Sequence, residues 1–348
     1  MIDLRSDTVT LPSAEMRAAM ARAELGDDVF GEDPTVNRLQ ELAAELMGKE
    51  AALLVSSGTM GNLVSILVHC PRGKKALIGA KSHSYMYEAG GASALGGVVL
   101  TPLSNRENGE LELEELSAQL SMPTDAHFAR PGLVALENTH NRCGGEAVAL
   151  SHMAEAASMA RRRSLPVHLD GARIFNAALA LETTVQEIAS HADSLSFCLS
   201  KGLACPVGSV ICGSKDFIAE ARRVRKMLGG GMRQAGIIAA AGIVALEKMV
   251  ERLAEDHDNA RALAQGFSIT AGINVRPASR RTNMVFFDTD DEASRADAFA
   301  AALRERGVLF TRIAPTTFRA VTHYGIERRD VDRAISAVGE AIGEVFAG

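Results

Sequence analysis

A lysine, an aspartate and a glycine-centred turn, each closing an apolar run, are the residues of this chain best suited to chemistry. In Ser196-Phe197-Cys198-Leu199-Ser200-Lys201-Gly202, Lys201 follows an apolar stretch and precedes small residues. An amine at a strand end inside a pocket can form a Schiff base with an aldehyde cofactor. In Val167-His168-Leu169-Asp170-Gly171-Ala172-Arg173, Asp170 ends another such stretch. Ligands of open α/β sheets bind at that end of the strands. A carboxylate buried there needs a cationic or hydrogen-bonding partner, and a protonated ring nitrogen is one. Arg173 is close enough in sequence to reach the same pocket. The segment Leu53 to Asn62 reads as strand, tight turn and helix start. Ser57, Gly58 and Thr59 would then present unpaired amides and a hydroxyl to an anion. Taken singly, each feature also fits a plainer role: a capped turn, a helix-capping aspartate, a surface lysine. Together, in chain order, they suit a phosphate, a ring nitrogen and an aldehyde carbon. The turn is neither G-x-x-x-x-G-K-[ST] nor G-x-G-x-x-G, which argues against ATP and NAD.

These residues need a scaffold, and the alternation of short apolar runs with helical patterns supplies one. The runs are Leu53 to Ser56, Ala76 to Ile78, Val98 to Thr101, Leu133 to Glu137, Val167 to Asp170, Leu195 to Cys198 and Val207 to Cys212. Helical patterns fall at Thr59 to His69, Leu113 to Leu120, Ser151 to Arg162 and Val185 to His191. Pro34 opens a further helix after an irregular start that holds one short helix near Ser13. This rhythm predicts an α/β fold with a mostly parallel seven-stranded sheet covered on both faces. After residue 250 a long charged helix, Val250 to Gln265, leads into a smaller α+β pattern. The expected division is a large unit over 1–250, including the N-terminal segment, and a small C-terminal unit over 251–348.

Bulk properties narrow the partners. The formal charge of -6, with both signs interspersed, gives no reason to expect nucleic acid. The basic cluster Arg222, Arg223, Arg225 and Lys226 reads as a solvated or subunit-facing helix surface. No apolar run reaches the roughly 20 residues of a membrane span, and Met1 to Asp7 is too polar for a leader. The alanine-rich run around 235 to 246 reads as a buried helix. Five cysteines without a C-x-x-C pair point to buried thiols in a reducing compartment, hence a cytoplasmic location. His69, His152, His191 and His257 read as structural or surface residues. No His/Cys/acid cluster has zinc spacing.

Several blocks then combine into a resemblance. They are Asp3-Leu4-Arg5-Ser6-Asp7-Thr8-Val9-Thr10, Gly31-Glu32-Asp33-Pro34-Thr35, Ser57-Gly58-Thr59-Met60-Gly61-Asn62, His83, Glu88-Ala89-Gly90-Gly91 and Glu137-Asn138-Thr139-His140-Asn141. Later come His168 to Arg173, Ser200-Lys201-Gly202-Leu203, Pro206-Val207-Gly208-Ser209, Gly229 to Gln234 and Arg319-Ala320-Val321-Thr322-His323. In this order they resemble the low-specificity L-threonine aldolases, a branch of the fold-type I pyridoxal-phosphate enzymes with an aspartate aminotransferase-like fold. The resemblance runs through nearly the whole chain.

It implies cleavage of threonine, allo-threonine and related β-hydroxy amino acids to glycine and an aldehyde, with pyridoxal 5'-phosphate as cofactor. It implies that Lys201 holds the cofactor aldehyde, Asp170 the pyridine nitrogen, and Ser57, Gly58 and Thr59 the phosphate. Lys226 or Arg233 would join from across an interface. His83 would stack on the ring and move protons. His127 would lie near the substrate hydroxyl. Arg173 would approach the cofactor oxygen or substrate carboxylate, which Ser6 and Arg319 would clamp. The resemblance also implies a homotetramer, a dimer of dimers with shared sites, and a cation near Thr8, Thr10 and Ser200. Phe30 stands where the family often has an aromatic hydroxyl, which leaves an apolar wall. The loop Arg142-Cys143-Gly144-Gly145 is variable in the family. A phenylserine-preferring aldolase, another fold-type I lyase or transferase, and a noncatalytic binding protein are the competing readings.

Overall fold

The computed structural model describes residues 1–123, 125–289 and 293–346. Its strands in chain order are β1 (Ile2–Asp3), β2 (Ala51–Val55), β3 (Lys75–Gly79), β4 (Val99–Leu103), β5 (Pro131–Glu137), β6 (Val167–Asp170) and β7 (Ser194–Cys198). They continue with β8 (Ser209–Gly213), β9 (Ile273–Val275), β10 (Met284–Thr289), β11 (Val308–Leu309), β12 (Thr311–Arg312) and β13 (Thr317–Val321). The seven expected core strands form one sheet in the order β2-β8-β7-β6-β5-β3-β4. Four neighbouring pairs are parallel, while β8 is antiparallel to both β2 and β7. Six strands therefore run one way. Their carboxyl ends bring Val55, Glu137, Asp170 and Cys198 to one edge of the sheet.

Local chemistry fixes where the helices start and stop. Asp33 accepts hydrogen bonds from the Thr35 and Val36 amides and starts Pro34–Met47, and Gly48, at φ 61°, ends it. Ser57 caps Gly58–His69 through the Met60 amide. The alanine-rich run forms the buried helix Gly236–Val244. Short helices at His83–Met86, Gly91–Gly96 and Ile174–Ala180 were not expected, because each is too brief to show periodicity.

Among the described residues, two of the apolar clusters are large. The larger runs from Met16 to Leu253 and packs helices against the seven-stranded sheet. The smaller contains Ala260, Leu263, Phe267, Phe287, Phe299 and Phe318, under a sheet ordered β12-β13-β10-β9. The helix Leu253–Ser268 spans the two, with Leu253 in the first core and Phe267 in the second. Ile2 and Leu4 also lie in the second core, since β1 pairs in parallel with β11. The sequence groups this segment with the large unit; pairing across 300 positions leaves no local trace. Arg225 is a second correction. It is not a surface cation but fully buried, bonded to Asp28 at 2.6 Å and to the Leu54 carbonyl at 2.7 Å.

The small core matters to the site because β10 and β13 pair Phe286 with Arg319 and Phe287 with Phe318. Phe287 is completely buried and meets the rings of Phe267, Phe310 and Phe318. Phe287→Ala is expected to cost about 3–5 kcal/mol of stability, measured by denaturant unfolding. A loss under about 1 kcal/mol would show that the ring cluster is not what holds this unit together.

Candidate active site

Asp170, at the carboxyl end of β6, is 5% exposed. Its Oδ1 accepts from the Ala172 amide (3.0 Å) and its Oδ2 from the side-chain amide of Asn62 (2.8 Å). Both donors are neutral, so neither cancels the charge. Such a carboxylate is completed by a cationic group such as a protonated ring nitrogen. The other N–H of Asn62 goes to Glu88 Oε1 (2.9 Å), which His83 Nδ1 also meets at 2.8 Å. Glu137, beside Asp170 in the β5–β6 register, accepts from the backbone amides of His83 (2.7 Å) and Asn141 (2.9 Å). It thereby anchors the short helix that carries His83.

The Glu88 hydrogen bond raises the His83 pKa above its ordinary value; burial opposes this and the Asp170 charge assists. Burial also raises Glu88. The ammonium of Lys201 disfavours protonation of His83. His83 thus feels the charges of both Asp170 and Lys201. The three groups His83, Glu88 and Asp170 offer atoms within 4.8 Å of one another. The Asn62 amide already bridges both carboxylates, so hydrogen bonds account for the cluster without a cation.

On the other side of Lys201 lies a cationic group. Arg173 lines a narrow cavity with Asn176, Cys198 and Lys201. Its Nε and Nη2 are committed to Asp7, at 2.6 and 2.7 Å, and both residues are buried. Burial disfavours ionisation of Asp7, yet Arg173, Lys201 and Arg319 together hold its carboxyl well below the usual range. The expectation for Arg173 is therefore narrowed: most of its fork is occupied by an acid that the sequence reading assigned no role.

Arg319 is different. Nη1 donates to Asn141 Oδ1 (2.9 Å), Nη2 to the Arg5 carbonyl (3.1 Å), and Nε is buried without a partner. Burial, reinforced by repulsion from Arg173, pushes its pKa down to about 10. Ser6 follows Arg5 directly, and its hydroxyl accepts from the Thr8 amide and hydroxyl. Thr10 donates to the Asp7 carbonyl.

The turn at Ser57, Gly58 and Thr59 is a strand-to-helix turn capped by Ser57. The Gly58 and Thr59 amides lie in the first turn of Gly58–His69, where no intrahelical acceptor exists. A Cβ on Gly58 would sit 2.8 Å from Cys198 Sγ, so only glycine lets the turn approach the end of β7 this closely. These features fit a phosphorylated pyridine aldehyde: helix-start amides without intrahelical acceptors, a carboxylate whose amide donors are neutral, and a half-buried lysine just beyond the end of β7.

Four expected residues remain apart from this group. Lys226 and Arg233 are exposed, and Arg233 pairs with Asp27. Phe30 is 73% exposed. The His127 side chain is 89% exposed and meets Asp125. Asn62, Glu88, Glu137 and His168 fell within the resemblance blocks, but their roles were missed. Alternation in V-H-L-D and S-L-S-F was the available signal, since it puts polar side chains on one face of otherwise apolar strands.

This site and sheet define a pyridoxal-phosphate enzyme of the fold-type I class. Residues 3–290 match the Beta-eliminating lyase family. The chain is 47% identical to the low specificity L-threonine aldolase of Escherichia coli strain K12 over 331 residues, 95% of this chain and 96% of that protein. A solved Leishmania major threonine aldolase superposes with a TM-score of 0.83 at 20% identity, covering 98% of this chain and 100% of that one. A structure of SPT with PLP internal aldimine shares the fold at a TM-score of 0.78 and 17% identity, covering 99% and 88%. The chain belongs to the beta-eliminating lyase family, on its threonine aldolase branch.

One electrostatic consequence can be checked directly. A raised His83 pKa adds stability that is complete below the ordinary histidine value and is lost as pH rises through the folded-state value. Glu88→Gln removes the leading cause, so the NMR titration midpoint of His83 should fall. An unchanged midpoint would assign the shift to another group.

Proposed function

We propose that this chain cleaves threonine, allo-threonine and related β-hydroxy amino acids to glycine and an aldehyde, using pyridoxal 5'-phosphate. The observation that carries the reading is Arg319. A buried guanidinium with an unpartnered Nε, beside an already neutralised Arg173, calls for an incoming carboxylate. An amino-acid substrate supplies one.

When bound, the cofactor supplies an electron-accepting ring for the Cα–Cβ bond pair. Lys201 would hold its aldehyde carbon. Asp170, which accepts from two amide donors, would hold the ring nitrogen. Ser57, Gly58 and Thr59 hold the phosphate, with Lys226 and Arg233 contributed across a subunit boundary. Arg319 and the Ser6 hydroxyl fix the substrate carboxylate, which sets the angle of the breaking bond. His83 would contact the bound cofactor and take the β-hydroxyl proton. Its Nδ1–H donates to Glu88, which leaves Nε2 as the base. His127 serves the same substrate from its exposed loop. Ser200 and the Thr8–Thr10 turn accommodate the cation that the resemblance implies.

The working assembly is a homotetramer, a dimer of dimers. The exposed apolar surfaces of Phe30 and Met227, together with exposed Lys226 and Arg233, support this reading. Five buried free thiols support a reducing, cytoplasmic setting. Among the described residues no helix is long and apolar enough to cross a membrane.

Purified protein with cofactor should convert threonine, allo-threonine or phenylserine to equal amounts of glycine and the matching aldehyde. Cofactor binding without aldehyde from any of them would overturn the proposal. Lys201→Ala should abolish turnover even with added cofactor. Arg319→Ala should mainly raise KM, and an unaltered kcat/KM would remove the clamp from the mechanism.

A further inference from the structure

Behind Asp170 lies a second layer of polar groups with no contact to solvent. On paired β6 and β7, His168 stands opposite Ser194 and Asp170 opposite Ser196. The period of two puts all four side chains on one face. The helix Gly58–His69 lies across that face. It comes close at Gly61, where a Cβ would be 3.2 Å from Ser196 Cβ. Asn62 and His168 are each 2% exposed, Ser196 is 1% exposed and Ser194 is fully buried.

The direction of every hydrogen bond here follows from two carboxylates. With both carboxylates ionised, Asp170 Oδ2 and Glu88 Oε1 accept only, so the Asn62 atom between them is the amide nitrogen, with both protons used. Asn62 Oδ1 must then accept, from Ser196 Oγ (2.8 Å) and His168 Nε2 (3.3 Å). His168 therefore carries its proton on Nε2. Burial holds its pKa down at about 3, so the ring is neutral and Nδ1 is an acceptor. The Ser194 hydroxyl donates to Nδ1 (2.9 Å), and its oxygen accepts from His69 Nε2 (2.7 Å). Burial likewise keeps His69 neutral, with a pKa down at about 4.

We propose that Asn62 is a positioning residue, the hub of a one-directional hydrogen-bond chain from His69 through Ser194 and His168 to Asp170 and Glu88. It holds Asp170 as an oriented carboxylate and, through Glu88, sets the tautomer of His83. Asn62 touches neither substrate nor cofactor in this scheme. It acts through the acid that faces the ring and the acid that faces the histidine. The inference rests on the proposed role of Asp170 toward the cofactor. The predicted histidine tautomers depend only on the chain itself.

Two measurements test it. The first is 15N NMR of the histidine-labelled full chain, with and without pyridoxal phosphate. His168 and His69 are both expected as neutral Nε2–H tautomers throughout the neutral pH range. An Nδ1–H tautomer or a charged ring at His168 would break the chain of donors and overturn the proposal, whatever the enzyme's activity. The second compares Asn62→Leu with Ser65→Ala. Ser65 is a buried neighbour on the same helix whose hydroxyl donates only to the Gly61 carbonyl. Removing a donor to a charged group should weaken cofactor binding about 10- to 100-fold in Asn62→Leu. The His83 titration midpoint should move as well, while Ser65→Ala leaves both unchanged. A folded Asn62→Leu protein with native cofactor affinity and a native His83 midpoint would refute the hub. Should that variant fail to fold, the wild-type tautomers decide the question alone. If the tautomers hold but no β-hydroxy amino acid is cleaved, the chain of donors stands and the aldolase reading fails.

Discussion

A buried carboxylate with donors but no counter-ion is the constraint around which this molecule is arranged. Ionised Asp170 is costly inside an apolar sheet unless something compensates it. Two neutral amides supply part of that compensation and leave the remainder for an incoming cationic ring. The sheet provides the location. The strands that run in one direction end at a common edge, and the acid, the lysine-bearing segment and the anion turn all emerge there. Glycine at position 58 lets the turn close against Cys198. The helix that starts at this turn brings Asn62 over the acid. One helix therefore both presents its first-turn amides at the sheet edge and, through Asn62, holds the Asp170 carboxylate.

Charge is distributed unevenly on the substrate side. Two arginines share a small volume with a lysine, and Asp7 pairs with one of them in bidentate geometry. A buried ion pair of this kind is not by itself a source of stability, because desolvation offsets much of the attraction. Its effect is selective. It leaves Arg319 as the cation whose donors are incompletely used. Repulsion and burial then make an arriving carboxylate more favourable there than at Arg173. Under the proposed function, recognition of the substrate carboxylate would rest partly on which arginine lacks an acid.

Much of this was legible in the residues. Seven apolar runs became seven strands of one sheet, and Ser57, Asp170 and Lys201 sit at strand ends as their neighbours suggested. Local signals sufficed because caps, turns and alternation are encoded within a few positions. What escaped was non-local. Asp7 pairs with Arg173, β1 with β11, and Arg225 with Asp28, and no spacing rule links such distant positions. Arg225 misled because a basic helix normally faces water, whereas here one of its cations is turned inward onto a buried acid. Asn62 and His168 were visible as residues but not as a network. Their meaning depends on which strand neighbours which, and helical or strand period does not encode that order.

The N-terminal segment has a consequence for biosynthesis. Residues made early are bound to residues made some 300 positions later: Ile2 to Gly307, Leu4 to Leu309, and the Arg5 carbonyl to both Thr311 and Arg319. Contacts of such wide sequence separation form late, since a long loop must close before they repay its entropy. The seven-stranded sheet can collapse while the ribosome is still translating the second core. The hold on Arg319 cannot form so early, because the Arg5 carbonyl that accepts from it lies 314 positions upstream. A nascent chain thus gains its central sheet before that guanidinium is fixed in place.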